Sequence, residues 1–178
     1  MNSSDDATLM SGTAFARMIV NKYQEVEPKL LTDEKVDLVI PASLIRDVVH
    51  LIEESYPLIF PEIIMGLDLE DDKYEVIYIF WSRETNFLCQ FRVLLEGATP
   101  VVDTISDIFP GMEWHERETC EMFGIDFKGH PDLRLLLLPD ELEGKYPLRK
   151  RFKTDRSRLS ESGLPQPKPR PPRGGDSQ

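Results

Sequence analysis

The chain has 178 residues, 40% hydrophobic and 30% charged, with 14 Pro and 10 Gly. That is enough for one domain that buries its own core without disulfides or a metal, and it excludes collagen-like and wholly disordered classes. The net charge of −11 is unevenly spread: residues 145–178 hold 10 Lys+Arg and 3 Asp+Glu, a net +7, while residues 1–144 hold 11 and 29, a net −18. An acidic body that repels duplex phosphates therefore carries a basic tail.

Residues 1–10 are polar and read as a flexible N-terminus, unlike a signal or transit peptide. Phe15, Met18, Ile19, Tyr23 and Val26 recur at helical spacing, which predicts a helix over 11–27 capped by Ser11 or Thr13 and stopped by Pro28. Val36 to Ile40 reads as a strand. Leu44, Ile45, Val48, Val49 and Ile52 predict a helix over 41–55, with Pro41 in its first turn. Ile63–Leu69, Tyr74–Trp81 and Phe87–Leu95 are apolar and β-branched or aromatic, joined by short polar turns, and predict an antiparallel meander with Trp81 in the core. Residues 101–108 read as a short helix. Glu113 to Phe123 reads as a second one, stopped by Gly124.

After Phe127 periodicity fades. Residues 127–159 read as an extended arm, and 160–178, with five prolines between 165 and 172, as a Pro/Arg-rich disordered tail. The expected fold is α+β: helices packed on a mostly antiparallel sheet, with a body over 11–126, followed by an extended C-terminal arm. No apolar run approaches the length of a membrane-spanning helix. Cys89 and Cys120 have no metal-ligand spacing and read as reduced, buried thiols.

The helix over 113–123 carries the densest charge. Spacing places Trp114, Arg117, Glu118 and Glu121 on one face, and Met112, Thr119, Cys120 and Phe123 on the other. Glu113, Arg117 and Glu121 are i,i+4 neighbours, so a solvated face with ion pairs is one reading. Docking to a partner is a second. Acid/base chemistry by Glu116, Glu118 and Glu121 with His130 is a third, and it requires a shared pocket. His50 and His115 read as structural or solvated.

The longer string is more specific. Glu116-Arg117-Glu118, then Glu121-Met122-Phe123-Gly124, then Gly129-His130-Pro131-Asp132-Leu133-Arg134 with Leu136 and Leu137, and finally Pro147-Leu148-Arg149-Lys150 resemble the 30 kDa, or C, subunit of respiratory complex I. Asp107-Ile108-Phe109-Pro110-Gly111-Met112-Glu113-Trp114 resembles that family's approach to the signature, and the likeness spans roughly residues 35–152. It implies a non-catalytic subunit in the hydrophilic arm of a membrane-bound oxidoreductase, peripheral on the cytoplasmic face of the membrane. The implied partners are a large subunit related to the nickel-iron hydrogenase large chain and a small iron–sulfur subunit. Iron–sulfur clusters and flavin would lie in partner chains and none in this one. The site residues carried over are Glu116, Arg117, Glu118, Glu121, Met122, Phe123, Gly124, His130, Asp132, Arg134, Pro147, Leu148, Arg149 and Lys150, as signature and partner interface. Phe127, Tyr146 and Phe152 would be apolar anchors of the arm.

Pro139-Asp140-Glu141-Leu142-Glu143-Gly144-Lys145-Tyr146-Pro147 departs from the Thr-Asp-Tyr-Gly-Phe-Glu-Gly-His stretch common in NADH-linked relatives. It is similar to archaeal relatives such as the deazaflavin-coenzyme (F-420) dehydrogenase of methanogens and membrane-bound hydrogenases. The expected electron donor is thus a nicotinamide or a deazaflavin, and the expected acceptor a quinone or methanophenazine, with coupled ion translocation. The equivalent subunit of an energy-converting hydrogenase is an alternative. An adaptor acting through the Pro/Arg tail is the alternative from another class.

Overall fold

Alternation between small or charged and large apolar residues decides how the central strands lie. In the computed structural model, which describes residues 10–56 and 59–153, five strands form one sheet: β1 (Glu27–Leu31), β2 (Lys35–Val39), β3 (Ile59–Glu70), β4 (Lys73–Ser82) and β5 (Phe87–Glu96). Their spatial order is β1-β2-β5-β4-β3, with three antiparallel pairings and one parallel pairing, β2 with β5. The meander β3-β4-β5 is the one the sequence predicts. The parallel pair arises because α2 (Ile45–Ser55) carries the chain from β2 across to β3.

Register sorts the side chains. Tyr74, Val76, Tyr78 and Phe80 of β4 pair with Leu95, Val93, Phe91 and Cys89 of β5, and all eight are buried. This inner face joins one continuous core with Phe15 and Ile19 of α1 (Gly12–Lys22) and with Ile45, Val48, Val49 and Ile52 of α2. The outer face has a different character. Arg92 bridges Asp37 of β2 at 2.9 Å and Glu75 of β4 at 3.0 Å. Phe60, Leu67 and Leu94 are exposed beside it. Ile77 is buried yet lies outside the main core. Trp81 pairs with Phe60 and Leu88 on this outer face and is half-buried, so it is not the core residue its sequence suggests.

Other local expectations change for identifiable reasons. Ser11 is the N-cap of α1, its hydroxyl accepting from the amide of Ala14. The helix stops at Lys22 rather than near Glu27, because residues 27–31 form β1. All five residues of that strand are exposed, and its Pro28 is tolerated only because β1 is a sheet edge. Residues 101–108 are not helical. Val101–Asp103 form β6, which pairs in parallel with β7 (Asp126–Lys128), and Thr104 to Ser106 turn inward. A pairing partner more than twenty residues away leaves no local trace. Helix α3 (Glu113–Phe123) appears as predicted and ends at Gly124 in the left-handed conformation, φ 68°. From 129 onward the described chain is irregular apart from a single 3-10 turn at Asp140–Leu142. Residues 154–178, which include the end of the expected arm and the Pro/Arg tail, lie outside the described residues, as do residues 1–9.

Helix α3 lies on the inner face over β3, and Gly66 makes this close approach possible: a Cβ there would meet Phe123 Cδ2 at 2.7 Å and Thr119 Cγ2 at 3.0 Å. Gly66→Val should therefore lower unfolding free energy in denaturant titrations by about 1–3 kcal/mol through overpacking, although valine is the better strand former. An unchanged or raised stability would mean that α3 does not press on β3.

Candidate functional site

Helix α3 meets water on only part of its surface, and its charged side chains are used mainly within the chain. Glu116 is completely buried. Its carboxylate accepts from the Ile105 amide at 2.8 Å and from the Thr104 hydroxyl, which also contacts the Ser106 hydroxyl at 2.7 Å. Burial pushes the Glu116 carboxyl up to about 7; the two donors partly oppose this, and the nearby Asp107 carboxylate adds to it. Arg46 of α2 bonds the Thr104 carbonyl at 2.8 Å and the Asp107 carboxylate, tying α2 to the same turn. The Tyr78 hydroxyl is buried here with no hydrogen-bond partner among the described residues, and burial, with the charges of Glu116 and Asp103, pushes its pKa well above the usual phenol range.

His130 has no exposed side-chain surface, and its Nε2 lies 3.9 Å from Glu116 Oε2. The Asp132 amide donates to Nδ1 at 3.0 Å, so Nε2 carries the hydrogen and donates to the Glu113 carbonyl at 3.1 Å. The contact with Glu116 is thus a packed neighbour rather than an ion pair. The sequence offered no sign of that proximity, because it depends on the turn at 129–132 folding back over α3.

Arg117 and Glu121 serve the irregular segment. Among the described residues, none from 131 to 138 makes a backbone–backbone hydrogen bond. Instead, Arg117 donates to the carbonyls of Arg134 at 3.1 Å and Leu135 at 3.0 Å. The buried Glu121 carboxylate accepts from the amides of Leu136 at 2.9 Å, Leu137 at 3.0 Å and Leu138 at 3.3 Å. Asp132 accepts from the Arg134 amide and guanidinium, which hold its carboxyl well below the usual range. The expected Glu113–Arg117 and Arg117–Glu121 ion pairs are absent among the described residues, because backbone groups without other partners take both side chains.

The block at 147–150 closes the structure. Pro147 occupies a turn in which the Arg149 amide bonds the Tyr146 carbonyl, and the Leu148 amide bonds the Met122 carbonyl. Arg149 is buried, bonds the Phe123 carbonyl at 2.5 Å, and is stacked between Tyr74 and Tyr146 at 4.8 and 4.3 Å from their ring centres. Gly124 leaves room for it: a Cβ there would lie 2.6 Å from both Arg149 and Tyr146. The Lys150 amide bonds Asp68, and the Lys150 and Arg151 side chains pair with Glu70 and Asp72 at 3.2 Å each. Those carboxylates belong to the β3–β4 turn, where Glu70, Asp71 and Asp72 all have positive φ.

Phe127 is buried in this chain's own core and so cannot be an arm anchor for a partner; Tyr146 and Phe152 are half-buried. The large apolar side chains that α3 and the following segment leave exposed are Trp114 at 65%, Leu137 at 61% and Leu148 at 55%, and Glu118 is exposed among the charged ones. A shallow open cleft lies between β3 and α3, with Glu118, Met122, Phe123 and Leu148 on one side. Glu116, Glu121 and His130 do not reach it, so the four groups of the acid/base reading do not share a pocket. Cys89 is buried, and Cys120 is half-buried with its thiol pushed up to about 11 by burial. Among the described residues, no group of three or more His, Cys, Asp or Glu is gathered as a metal site, and no helix is long and apolar enough to cross a membrane.

Residues 38–158 match the family model of the respiratory-chain NADH dehydrogenase 30 Kd subunit. The chain belongs to this family. The C subunit of the NADH-quinone oxidoreductase of Bartonella tribocorum is 32% identical over 152 residues, covering 83% of this chain and 72% of that protein. Its counterpart in Methylobacterium sp. is 37% identical over 130 residues, with 71% and 60% covered. The C subunit of the F(420)H(2) dehydrogenase of Methanosarcina mazei is 33% identical over 90 residues, with 50% and 57% covered. The α+β fold is also that of a chain of the membrane-bound sulfane sulfur reductase, an archaeal respiratory membrane complex, at a TM-score of 0.71 and 22% identity over 85% of this chain and 91% of that one. A trypsin-resistant fragment of Nqo5 aligns at 0.55 and 22% identity, covering 67% and 99%. In this member of the 30 Kd subunit family, six of the fourteen signature side chains, Glu116, Arg117, Glu121, His130, Asp132 and Arg149, bond backbone groups of the same chain, and α3, the 129–138 segment and the 146–151 turn form one tied unit.

The Glu116 geometry gives a pH test. The folded state raises this carboxyl from 4.5 to about 7, so the fold binds the proton more tightly than the unfolded chain. The associated stability is fully present below the unfolded value, falls as pH rises from about 4.5 to about 7, and is flat above, with a span of roughly 3 kcal/mol. Unfolding free energies of Glu116→Gln should lack this component, seen as a difference from wild type that changes across that window. A pH-independent difference would contradict the burial argument.

Proposed function

We propose that this chain is a non-catalytic scaffold subunit of the hydrophilic arm of a membrane-bound, complex-I-like oxidoreductase. It packs beside a large subunit related to the nickel-iron hydrogenase large chain, with a small iron–sulfur subunit nearby. It reaches the cytoplasmic face of the membrane through them. In this reading the partner chains hold the iron–sulfur clusters and flavin, and electrons pass from a reduced nicotinamide or deazaflavin coenzyme to a quinone or methanophenazine with coupled ion translocation. Relatives of both donor types support the breadth of that statement.

One observation carries the scaffold reading. The signature chemistry of α3 is spent on holding an irregular segment, and α3, that segment and the 146–151 turn each leave one large apolar side chain exposed: Trp114, Leu137 and Leu148. Large exposed apolar side chains on a fixed platform are the usual make-up of an interface centre, and of the four acid/base candidates only Glu118 lines the cleft between β3 and α3.

The test is Arg117→Ala in the cell that makes the complex. Loss of two charge-assisted bonds to the 134–135 carbonyls should loosen the platform and lower the amount of complex recovered with tagged chain. Electron-transfer turnover per assembled complex should stay unchanged. Normal recovery with reduced turnover would place Arg117 in the chemistry instead.

A further inference from the structure

The two edges of the five-stranded sheet are built differently. β1 is five residues long and carries Pro28 and Lys29, which blunt an edge against pairing. β3 is twelve residues long, has no Lys or Arg, and among the described residues pairs only with β4; its one proline, Pro61, and its register shifts at 61/63 and 68/70 lie toward its ends and leave Ile63 to Asp68 regular. Among the described residues, none of its outward backbone groups between Phe60 and Glu70 has a backbone partner outside its pairing with β4. A free, regular edge of unpaired N–H and C=O groups is a ready template for pairing with another chain.

The cleft lies along this edge. Four consecutive β3 residues, Ile63, Ile64, Met65 and Gly66, line it. Side chains of consecutive strand residues point to opposite faces, so a space touched by all four runs along the backbone rather than over one face. Across it stand Met122 and Leu148. The charges at its rim have one sign: Glu62 and Glu118 are exposed and in no ion pair among the described residues. Nearby cations lie at the ends of β3, with Arg83 stacked on Phe60 and Lys150 paired with Glu70.

We propose that the free edge of β3 accepts an extended segment of a neighbouring subunit as a sixth strand. This rests on the assembly reading above. Main-chain bonds to alternate β3 residues supply affinity, as in strand addition generally. The incoming segment alternates apolar side chains, one of which enters the cleft against Met122 and Leu148, with Lys or Arg side chains that meet Glu62 and Glu118.

Hydrogen–deuterium exchange of the full chain alone and in the complex solubilised from its native membrane tests this. Alternate amides within 62–68 should exchange at least about tenfold more slowly in the complex. The Glu62→Lys/Glu118→Lys double variant should lower recovered complex while the isolated chain melts as wild type. Equal exchange in the two samples overturns the proposal alone. So does protection already present in the isolated chain, whether it is lost on deleting residues 154–178, which would make the occupant this chain's own tail, or on dilution, which would make it a second copy. A chain that enters no complex at all overturns the assembly reading and this proposal together.

Discussion

Backbone amides and carbonyls must be bonded wherever they leave water, and the segment from Pro131 to Leu138 has no strand or helix to bond them. The rest of the site follows from that constraint. Arg117 supplies donors to two carbonyls, Glu121 supplies acceptors to three amides, and His130 and Asp132 each take one amide more. Charge-assisted bonds of this kind are each worth roughly 1.5–3 kcal/mol, enough to hold a segment that would otherwise be an ordinary loop. The helix that provides them must in turn be fixed. Gly66 lets it press on β3, Glu116 pins its other side to the turn after β6, and Arg149 seals its C-terminal end between two tyrosines.

The same constraint gives the charge split along the chain a different meaning. Three of the cations that follow residue 144, Arg149, Lys150 and Arg151, are not held in reserve for a partner. One is buried against carbonyls and aromatic rings, and two lie over the acidic β3–β4 turn of the same chain. The exposed pairs contribute little. The buried guanidinium, shielded from salt, is the stronger tie. In the proposed assembly the groups offered to a partner are the apolar Trp114, Leu137 and Leu148, with Glu118 and the β3 edge, rather than these three cations.

Much of this was legible in the residues themselves. The meander, α2, α3 and its Gly124 stop follow from periodicity and turn chemistry, and the signature string points to the family without any coordinates. The misses share one cause. β1 is exposed on every residue and so lacks alternation, β6 borrows its identity from β7, and the inward roles of Glu116, Glu121 and Arg149 depend on segments 11 to 26 residues away folding back. A helical wheel assigns a charged residue to solvent by default. It takes no account of an irregular segment that needs donors and acceptors more than α3 needs ion pairs.

The whole arrangement stands on Glu121 satisfying the 136–138 amides. Amide exchange measured residue by residue on the full-length chain and on Glu121→Ala tests it most directly. Protection should be lost at Leu136, Leu137 and Leu138 in the variant while the amides of β4 and β5 keep theirs. Unchanged protection at those three leucines would show that something other than α3 holds the segment, and the central claim would fail.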